Sequence, residues 1–255
     1  MVLPLYLAMT AAEIRGSQDF PPNLGYMACH FSPYGTGLSN CPAQLPENAI
    51  LILNDRTPIH GHDHEVIAGQ LAQLVERLKC DSVLLDFQRP EVESLYFLAE
   101  KLTVSLPCPV GVSDLYAKDL DCAVFLPPVM PDMLLGEYFA PWKGRDIWLD
   151  ISTEGQEITL TEKGAEVTII PQYACPENSH GDTALHCHYR IELAETARFT
   201  LFRTEQDLTD LLTEASQLGV SRAVGLYQEL HSLTHNHNHR PCRWYALAPL
   251  GHALG

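Results

Sequence analysis

The sequence is short of positive charge. Its 255 residues include 16 lysines and arginines against 32 aspartates and glutamates, which gives a formal net charge of −16. Binding to nucleic acid or to an anionic membrane surface needs clustered Lys and Arg side chains, and such clusters are scarce here. We therefore expect neither nucleic acid nor a membrane among the partners of this chain, and we expect an acidic, solvated surface.

The sequence also lacks the usual signals of export. Its start, MVLPLYLAMT, has no basic segment before the apolar run, and that run is too short to span a bilayer. None of the eight cysteines belongs to a C-x-x-C pair, and several lie in or beside apolar runs, where a free cysteine behaves as a small hydrophobe. These features predict a cytoplasmic protein with all eight cysteines reduced.

Eight short apolar runs dominate what the sequence does contain. The predicted strands are residues 3–10, 25–32, 49–54, 82–87, 109–113, 122–126, 146–151 and 222–227. Helical patterns separate several of them, and most end in polar residues. At this chain length, eight such strands predict an α/β fold, a (β/α)₈ TIM-type barrel with some helices shortened or missing. A doubly wound open sheet is the alternative.

Between the seventh and eighth strands lies a segment with a different pattern. Residues 157–161 and 166–170 alternate around Lys163-Gly164, which is typical of a hairpin, and residues 185–193 and 197–203 predict a second pair of strands. The segment 153–203 is therefore predicted to be a small antiparallel subdomain, inserted into a barrel domain made of residues 1–152 and 204–255. A capping box at Thr204 and Asp207 predicts that a helix follows it.

The fourth predicted strand carries the most informative residues. In the stretch CDSVLLDFQRPE, strand alternation places Leu84, Asp86 and Gln88 on one face. Pro90 then predicts that a helix starts immediately, because proline suits the first helical position. Polar side chains between a strand and the next helix are where binding and catalytic groups lie in α/β folds.

This stretch resembles the motif of the chitinase-like (family eighteen) glycoside hydrolases, D-G-x-D-x-D-x-E along the fourth barrel strand. Asp81 and Asp86 match the first and last Asp, whereas Leu84 replaces the middle Asp and Gln88 replaces the catalytic Glu. Many members also insert a small α+β subdomain after strand seven, where this chain has its insertion. The resemblance implies a barrel that acts on N-acetylglucosaminides, with the substrate's own N-acetyl group as nucleophile.

The replacement of Glu by Gln88 changes what the resemblance implies. A glutamine has no titratable proton, but it can still donate and accept hydrogen bonds. Asp86 and Gln88 are therefore predicted to form a site that binds a small saccharide or glycan, with hydrolysis weak or lost. Tyr227 ends strand eight, where the family usually has a tryptophan, and is predicted to stack on the sugar. Strand six ends in Leu126 and two prolines instead of the family's Tyr-Asp pair.

Other polar residues near strand ends are predicted to contact the substrate. They are Asp55, Asp114, Asp150, Glu229 and His30. A ring of carboxylates at a barrel mouth could supply a replacement acid or bind a divalent cation. Two alternatives to the binding protein thus stay open: an active glycoside hydrolase with its acid on another strand, and a metal-dependent TIM-barrel hydrolase.

Three groups of histidines also bear on metal binding. His60, His62 and His64 are predicted to lie in a solvated loop, and His235, His237 and His239 on the surface. His186 and His188 alternate along a predicted strand and so share a face, which leaves a structural Zn²⁺ as an alternative there. No metal site and no cofactor is assigned, and no oligomeric state is predicted.

Overall fold

Eight parallel strands close into a barrel in the computed structural model of the chain, which describes residues 3–17, 19–34, 37–59, 64–171, 178–194 and 196–235. The barrel strands are β1 (Leu5–Met9), β2 (Leu24–Phe31), β4 (Ile50–Asn54), β5 (Ser82–Asp86), β6 (Val110–Ser113), β7 (Ala123–Leu126), β8 (Ile147–Ile151) and β14 (Val220–Leu226). The ring closes because β1 pairs in parallel with both β2 and β14. The predicted TIM-type barrel is confirmed, and the open sheet is wrong.

The helices around the barrel are uneven in length. They are α1 (Ala11–Gly16), α2 (His64–Leu78), α3 (Glu93–Ser105), α4 (Asp114–Ala117), α5 (Leu135–Phe139), α6 (Glu205–Gln217) and α7 (Tyr227–His235). Between β2 and β4 the described residues form turns and a short strand, β3 (Leu38–Ser39), which pairs antiparallel with β2. None of the helices in the described ranges is both long and apolar enough to cross a membrane.

The strands are apolar because both of their faces are buried. Leu84 and Trp148 belong to a cluster inside the barrel, whereas Val83 and Leu85 belong to the larger cluster between strands and helices. The interior has little room to spare. A Cβ atom at Gly111 would lie 2.3 Å from Cε3 of Trp148, so the absence of a side chain there lets the indole fill the barrel.

The helix after β5 starts later than predicted. Glu91 has a φ of 58°, and Val92 is the N-cap of α3, whose first residue is Glu93. A left-handed residue cannot continue an α-helix, so the chain forms a short loop from Phe87 onward. That loop presents Gln88 at the end of the strand.

The insertion after β8 is a separate antiparallel sheet, as predicted. Its strands are β9 (Gly155–Thr161), β10 (Gly164–Ile170), β11 (His180–Asp182), β12 (Cys187–Leu193) and β13 (Ala197–Phe202), and their order is β10-β9-β13-β12-β11. Both predicted hairpins are present, and β11 adds an edge strand to the second. The division of the chain into domains at residues 153 and 203 stays a prediction.

One buried guanidinium joins this sheet to the barrel. Arg203, only 5% exposed, donates hydrogen bonds to the carbonyl oxygens of His186, Val129 and Met130. His186 belongs to the turn before β12, and the other two acceptors belong to the segment between β7 and α5. Burial lowers the Arg203 pKa to about 10, which leaves the side chain charged at neutral pH.

His186 and His188 of the insertion do not share a strand face. His186 has a φ of 47° and precedes β12, so strand alternation does not apply to it. Each histidine contacts a carboxylate of α6: His186 Nε2 lies 2.7 Å from Glu214 Oε2, and His188 Nδ1 lies 2.8 Å from Asp207 Oδ2. These pairs link the sheet to α6. Because each histidine contacts a different carboxylate, the described residues give the alternative of a shared zinc site no support.

Candidate functional site

Asp86 ends β5 on the inner side of the barrel. It has the same strand parity as Leu84, which belongs to the interior cluster, while its neighbours Leu85 and Phe87 pack outward. The Gln88 side-chain amide donates a hydrogen bond to Asp86 Oδ1. The two residues that stand at the last Asp and the Glu of the chitinase-like motif therefore contact each other at the carboxyl end of the barrel.

Burial raises the pKa of the Asp86 carboxyl, and the negative charge of Asp55 adds to that effect. The hydrogen bond from Gln88 opposes it, because a donor stabilises the ionised form. Gln88 itself is exposed, so its amide is accessible from the mouth of the barrel. The pair offers one partly desolvated carboxyl group and one amide to a polar ligand.

Asp55 holds the backbone of the loop that carries Gln88. It is 4% exposed, its Oδ1 accepts from the Gln88 backbone N–H at 3.0 Å, and its Oδ2 accepts from the Arg89 N–H at 2.9 Å. Both carboxylate oxygens are thus engaged by the loop that follows β5. Substrate contact was predicted for Asp55, and its burial and its backbone partners give that prediction no support.

Asp150 is a second carboxyl group at the inner end of the barrel. It follows Trp148 by two residues on β8 and so has the same inward parity. Burial raises the pKa of Asp150 to about 8, and the charges of Asp86, Glu229 and Glu154 contribute to the rise. A carboxyl group with this pKa is largely protonated at neutral pH and can donate a proton.

Asp114 and Tyr138 complete the polar surroundings of Asp150. Burial raises the pKa of Asp114, the first residue of α4, whose Oδ1 accepts from the Leu115 N–H at 2.9 Å. Burial and the charges of Asp114 and Asp150 raise the pKa of Tyr138, whose hydroxyl donates to the Pro127 carbonyl at 2.8 Å. Sequence reasoning missed Tyr138 because it lies on a short helix, α5, away from any predicted strand end.

Glu229 is near the mouth, but other residues of the chain engage it. Its Oε2 accepts hydrogen bonds from the Thr153 N–H at 3.0 Å, the Thr153 hydroxyl at 3.1 Å and the Ser152 hydroxyl at 3.3 Å. These contacts join α7 to the segment between β8 and β9. Glu229 therefore fixes the start of the insertion, and its charge reaches Asp150 from that position.

His30 is held by its neighbours at the end of β2. The Asn40 side-chain amide lies 3.0 Å from Nε2, and Nδ1 lies 2.7 Å from the Phe31 carbonyl oxygen and 3.3 Å from the Thr57 hydroxyl. This pattern places the proton on Nδ1, with Nε2 as the acceptor. Both ring nitrogens have partners within the protein.

Tyr227 faces away from the barrel interior. Val224 belongs to the interior cluster, whereas Tyr227, three residues later, packs against the outer cluster of Met9, Leu24 and Ala49. Tyr227 is the first residue of α7 and follows the last residue of β14, so strand alternation does not apply to it. The prediction that Tyr227 stacks on a sugar in the mouth gains no support, since its partly buried ring packs against the outer core.

Asp81, the first Asp of the motif, lies at the opposite end of β5. It accepts a hydrogen bond from Arg222, whose guanidinium lies 4.7 Å from the ring centroid of Trp148 and 5.7 Å from that of Tyr6. This ion pair with two aromatic neighbours closes the amino end of the barrel. Asp81 therefore contributes to the barrel core rather than to the mouth.

Across the described residues, no three or more His, Cys, Asp or Glu side chains are grouped in a way that could hold a metal ion. His64 is the first residue of α2, and its ring contacts Phe97. His60, His62, His237 and His239, and the side chain of His235, lie outside the described part of the chain. The described carboxylates therefore give the metal-dependent alternative no support.

The chain is similar to known proteins in its structure but not in its sequence. No protein-family model matches the sequence, and no curated protein matches it. A glycoside hydrolase family 18 N-acetylglucosaminidase from Paenibacillus barengoltzii superimposes with a TM-score of 0.60 at 10% identity, over 91% of this chain and 98% of that one.

Two further solved structures have the same architecture. A chitinase-like agglutinin from Robinia pseudoacacia gives a TM-score of 0.55 at 11% identity, over 86% of this chain and 93% of its own. A class V chitinase from Nicotiana tobaccum gives a TM-score of 0.56 at 8% identity, over 92% of this chain and 98% of its own. That chitinase is a variant with one glutamate replaced by glutamine, in complex with NAG4. The chain thus has the barrel fold of the chitinase-like glycoside hydrolases.

Proposed function

We propose that the chain binds a saccharide containing N-acetylglucosamine at the carboxyl end of its barrel, with hydrolysis weak or lost. The observation that carries the proposal is the contact between Asp86 and Gln88 at the inner end of β5. In the motif that the sequence resembles, these positions hold the carboxylate that orients the substrate's N-acetyl group and the general acid. This chain keeps the first and replaces the second with an amide.

The replacement separates binding from bond cleavage. An amide can bind a sugar hydroxyl or the glycosidic oxygen through hydrogen bonds. It cannot transfer a proton to the leaving oxygen, a contribution that is typically worth about 10²–10⁴-fold in rate. A site built around Asp86 and Gln88 is therefore expected to hold the ligand in place without breaking it efficiently.

Two of the structural neighbours support this division. The Robinia protein is described as a chitinase-like agglutinin, and the Nicotiana chitinase was crystallised with NAG4 after a glutamate was replaced by glutamine. Both proteins have the same fold. The first is named for agglutination, and the second was studied as a glutamine variant with a bound sugar. A saccharide ligand for the present chain is consistent with them.

A second candidate function is hydrolysis with Asp150 as the acid. Its pKa of about 8 keeps it protonated at neutral pH, and Asp86 is close enough for its charge to contribute to that shift. A protonated carboxyl group opposite an ionised one is the division of roles that glycosidases require. In this case Asp86 would still orient the N-acetyl group, while Asp150 protonates the leaving oxygen.

One set of measurements tests both candidates. Calorimetric titration with tetra-N-acetylchitotetraose measures binding, and chromatography of the same mixture measures release of shorter sugars. We expect the wild type to bind without appreciable release, Asp86→Ala to bind at least tenfold more weakly, and the exposed Asp119→Asn control to match the wild type. Absence of binding by the wild type would refute the proposal.

Hydrolysis in the wild type would move the assignment to the second candidate. That candidate requires Asp150→Asn to abolish product release while binding persists. Release that survives both Asp150→Asn and Gln88→Ala would contradict both candidates, because the acid would then lie elsewhere.

A further inference from the structure

The sheet of the insertion has an open strand at one side. β10 is the outermost strand in the order β10-β9-β13-β12-β11, and among the described residues β9 is its one neighbouring strand. Residues 164–169 are exposed. An edge strand presents backbone N–H and C=O groups that its own sheet does not pair. β10 therefore offers a surface on which another extended chain can be added.

The turn before β10 determines which of its backbone groups face outward. Thr161 and Gly164 are directly paired across a two-residue turn, so they form a hydrogen-bonded pair. Hydrogen-bonded pairs alternate along an antiparallel ladder, so every second residue of β10, counted from Gly164, bonds to β9. The residues between them direct their N–H and C=O groups away from β9, and they are Ala165, Val167 and Ile169.

Most of the features that protect an edge strand are missing from β10. It is seven residues long, its register with β9 is regular over all seven pairs, and it contains no proline and no lysine. The opposite edge of the sheet is β11, which has only three residues. Edge strands are ordinarily blocked by proline, lysine, a bulge or a short length. The sheet is therefore open along β10 and offers little length for pairing along β11.

One face of the sheet is apolar up to this open edge. Cross-strand pairing aligns four apolar residues in a row that runs from β10 to β12: Val167, Ile158, Phe199 and Ile191. Five large aliphatic side chains on this face are exposed, namely Leu160, Val167, Ile169, Ile191 and Leu193. A strand added at β10 would continue the apolar face and cover the part of it nearest the edge.

The open edge carries little of the negative charge of the chain. Glu166 is the only charged residue of β10, whereas the whole chain has 32 acidic residues and a net charge of −16. Two such chains repel each other where their acidic side chains meet. They can approach along β10, provided that Glu166 does not lie opposite the same residue of the other copy.

We propose that β10 pairs antiparallel with β10 of a second copy of the chain, about a two-fold axis at Val167. In this register Val167 lies opposite Val167 of the second copy, and Ala165 lies opposite Ile169. All the outward N–H and C=O groups of both strands are then hydrogen bonded. Glu166 lies opposite Thr168, so the charge of the strand does not oppose its own copy.

Symmetry favours a second copy over an unrelated strand. A two-fold axis at Val167 makes the whole of β10 complementary to itself, so both copies use the same surface. The pairing occupies the open edge of each sheet, and the joined sheet ends at the short β11 on both sides. The assembly is therefore a closed dimer rather than a fibre. This interface lies on the insertion and is independent of the proposed sugar site.

Sedimentation velocity of the full chain over a wide range of concentrations tests the proposal. We expect the wild type to dimerise and Val167→Pro to weaken dimerisation about tenfold or more, because each copy loses an outward N–H group. The hairpin keeps its own ladder, since that N–H does not bond to β9. Val167→Lys should have the same effect, because it places two like charges at the axis. Leu193→Lys, on the same apolar face but on β12, is the matched control and should dimerise as the wild type does.

A cross-link tests the register. Val167→Cys places two thiols at the axis, where Cα atoms of a hydrogen-bonded pair are about 5.5 Å apart, within the range for a disulfide. Mild oxidation should give a reducible dimer on a gel with this variant, and not with the wild type or Leu193→Cys. The proposal is overturned if the wild type is monomeric at every concentration, if both Val167→Pro and Val167→Lys leave the dimer unchanged, if Leu193→Lys disrupts it, or if Val167→Cys gives no cross-link.

Discussion

The charge of Asp86 acts on Asp150 across the carboxyl end of the barrel, although β6 and β7 separate their strands in the ring. The two carboxyl groups belong to opposite parts of the mouth and share its interior. Burial raises the pKa of Asp150 to about 8, so this carboxyl group keeps its proton at neutral pH. The mouth therefore holds a proton donor within reach of the charge of Asp86, whatever role the pair has.

The pH dependence of the unfolding free energy should show whether Asp150 is protonated in the folded protein. A carboxyl group whose pKa is raised to about 8 binds a proton in the folded state that it loses on unfolding at neutral pH. Stability is then fully retained below the unfolded pKa near 4 and falls as the pH rises toward 8, by about 1.4 kcal/mol per pH unit between the two values. Asp150→Asn should remove this dependence.

Urea unfolding between pH 5 and pH 8 provides the measurement. The difference in unfolding free energy between Asp150→Asn and the wild type should grow in favour of the variant as the pH rises. Asp119→Asn, on the exposed surface, serves as the control and should give a constant difference. A constant difference for Asp150→Asn as well would show that its carboxyl group is ionised in the folded protein.

Restoring an acid at residue 88 should increase hydrolysis. Gln88→Glu places a titratable group beside Asp86, and a positioned acid is typically worth about 10²–10⁴-fold. Leu84, where the related motif has an Asp, is expected to hold the gain toward the lower end. Asp86→Asn in the same background should abolish it, because the substrate-assisted route needs that carboxylate.

The measurement is release of the chromophore from a nitrophenyl N-acetylglucosaminide or its oligomer. Gln73→Glu, an equivalent change on the exposed side of α2, should leave the rate at the wild-type level. If Gln88→Glu and Gln73→Glu have the same rate while both bind the sugar, residue 88 does not occupy the position of a general acid.

Packing inside the barrel makes a sharp prediction at Gly111. An added Cβ would approach the Trp148 ring to 2.3 Å, and the indole is fully buried. Gly111→Ala should therefore cost about 1–3 kcal/mol of unfolding free energy, the usual range for an overpacked core. Gly136→Ala, on α5 with no atom within 4 Å of the new methyl group, should be neutral or slightly stabilising.

Denaturant unfolding of both alanine variants makes the comparison. The glycine at 111 has an ordinary strand conformation, so the expected loss comes from the clash and not from the backbone. Equal stabilities for the two variants would mean that Trp148 can rotate away, and its fluorescence would then shift toward longer wavelength.

The link between the insertion and the barrel should depend on Arg203. Arg203→Met leaves three buried or partly buried carbonyl groups without their charged donor, and hydrogen bonds to charged groups contribute about 1.5–3 kcal/mol each. We expect a loss of about 3 kcal/mol or more. Arg198→Met breaks an exposed ion pair with Glu157 at 3.5 Å and should cost less than about 1 kcal/mol.

Hydrogen exchange separates a local effect from a global one. Loss of the three hydrogen bonds from Arg203 should increase amide hydrogen exchange in β12 and in the residues after β7 before it affects the barrel strands. Uniform loss of protection throughout the barrel would contradict a role in docking the insertion.

Much of the fold could be predicted because its signals are local. Buried barrel strands are apolar on both faces, and each of the eight runs was bounded by polar or turn-forming residues. The hairpin at Gly164 and the capping box at Thr204 are likewise encoded within a few residues, and both are present in the structure. The inward parity of Asp86 followed from the alternation of a single strand.

What could not be predicted depends on contacts between distant residues. Nothing near Asp55 in the sequence indicates that its carboxylate is engaged by the backbone of residues 88 and 89. Tyr227 was predicted to end a strand, but it is the first residue of α7, so the direction of its ring depends on how that helix packs. Glu91 and His186 adopt left-handed conformations for which their residue types give no signal. Two partners of Arg203, the carbonyl groups of Val129 and Met130, are more distant still in the sequence.

The loop after β5 is held by its backbone and not by the side chain at its tip. Because Asp55 binds the backbone N–H groups of residues 88 and 89, the position of residue 88 does not depend on which side chain it carries. Glutamine and glutamate codons differ only in their first base. A single-nucleotide substitution could therefore exchange an amide for an acid at the mouth while the backbone of the loop stays in place. Under the proposed function, that one base would decide between holding a sugar and cleaving it.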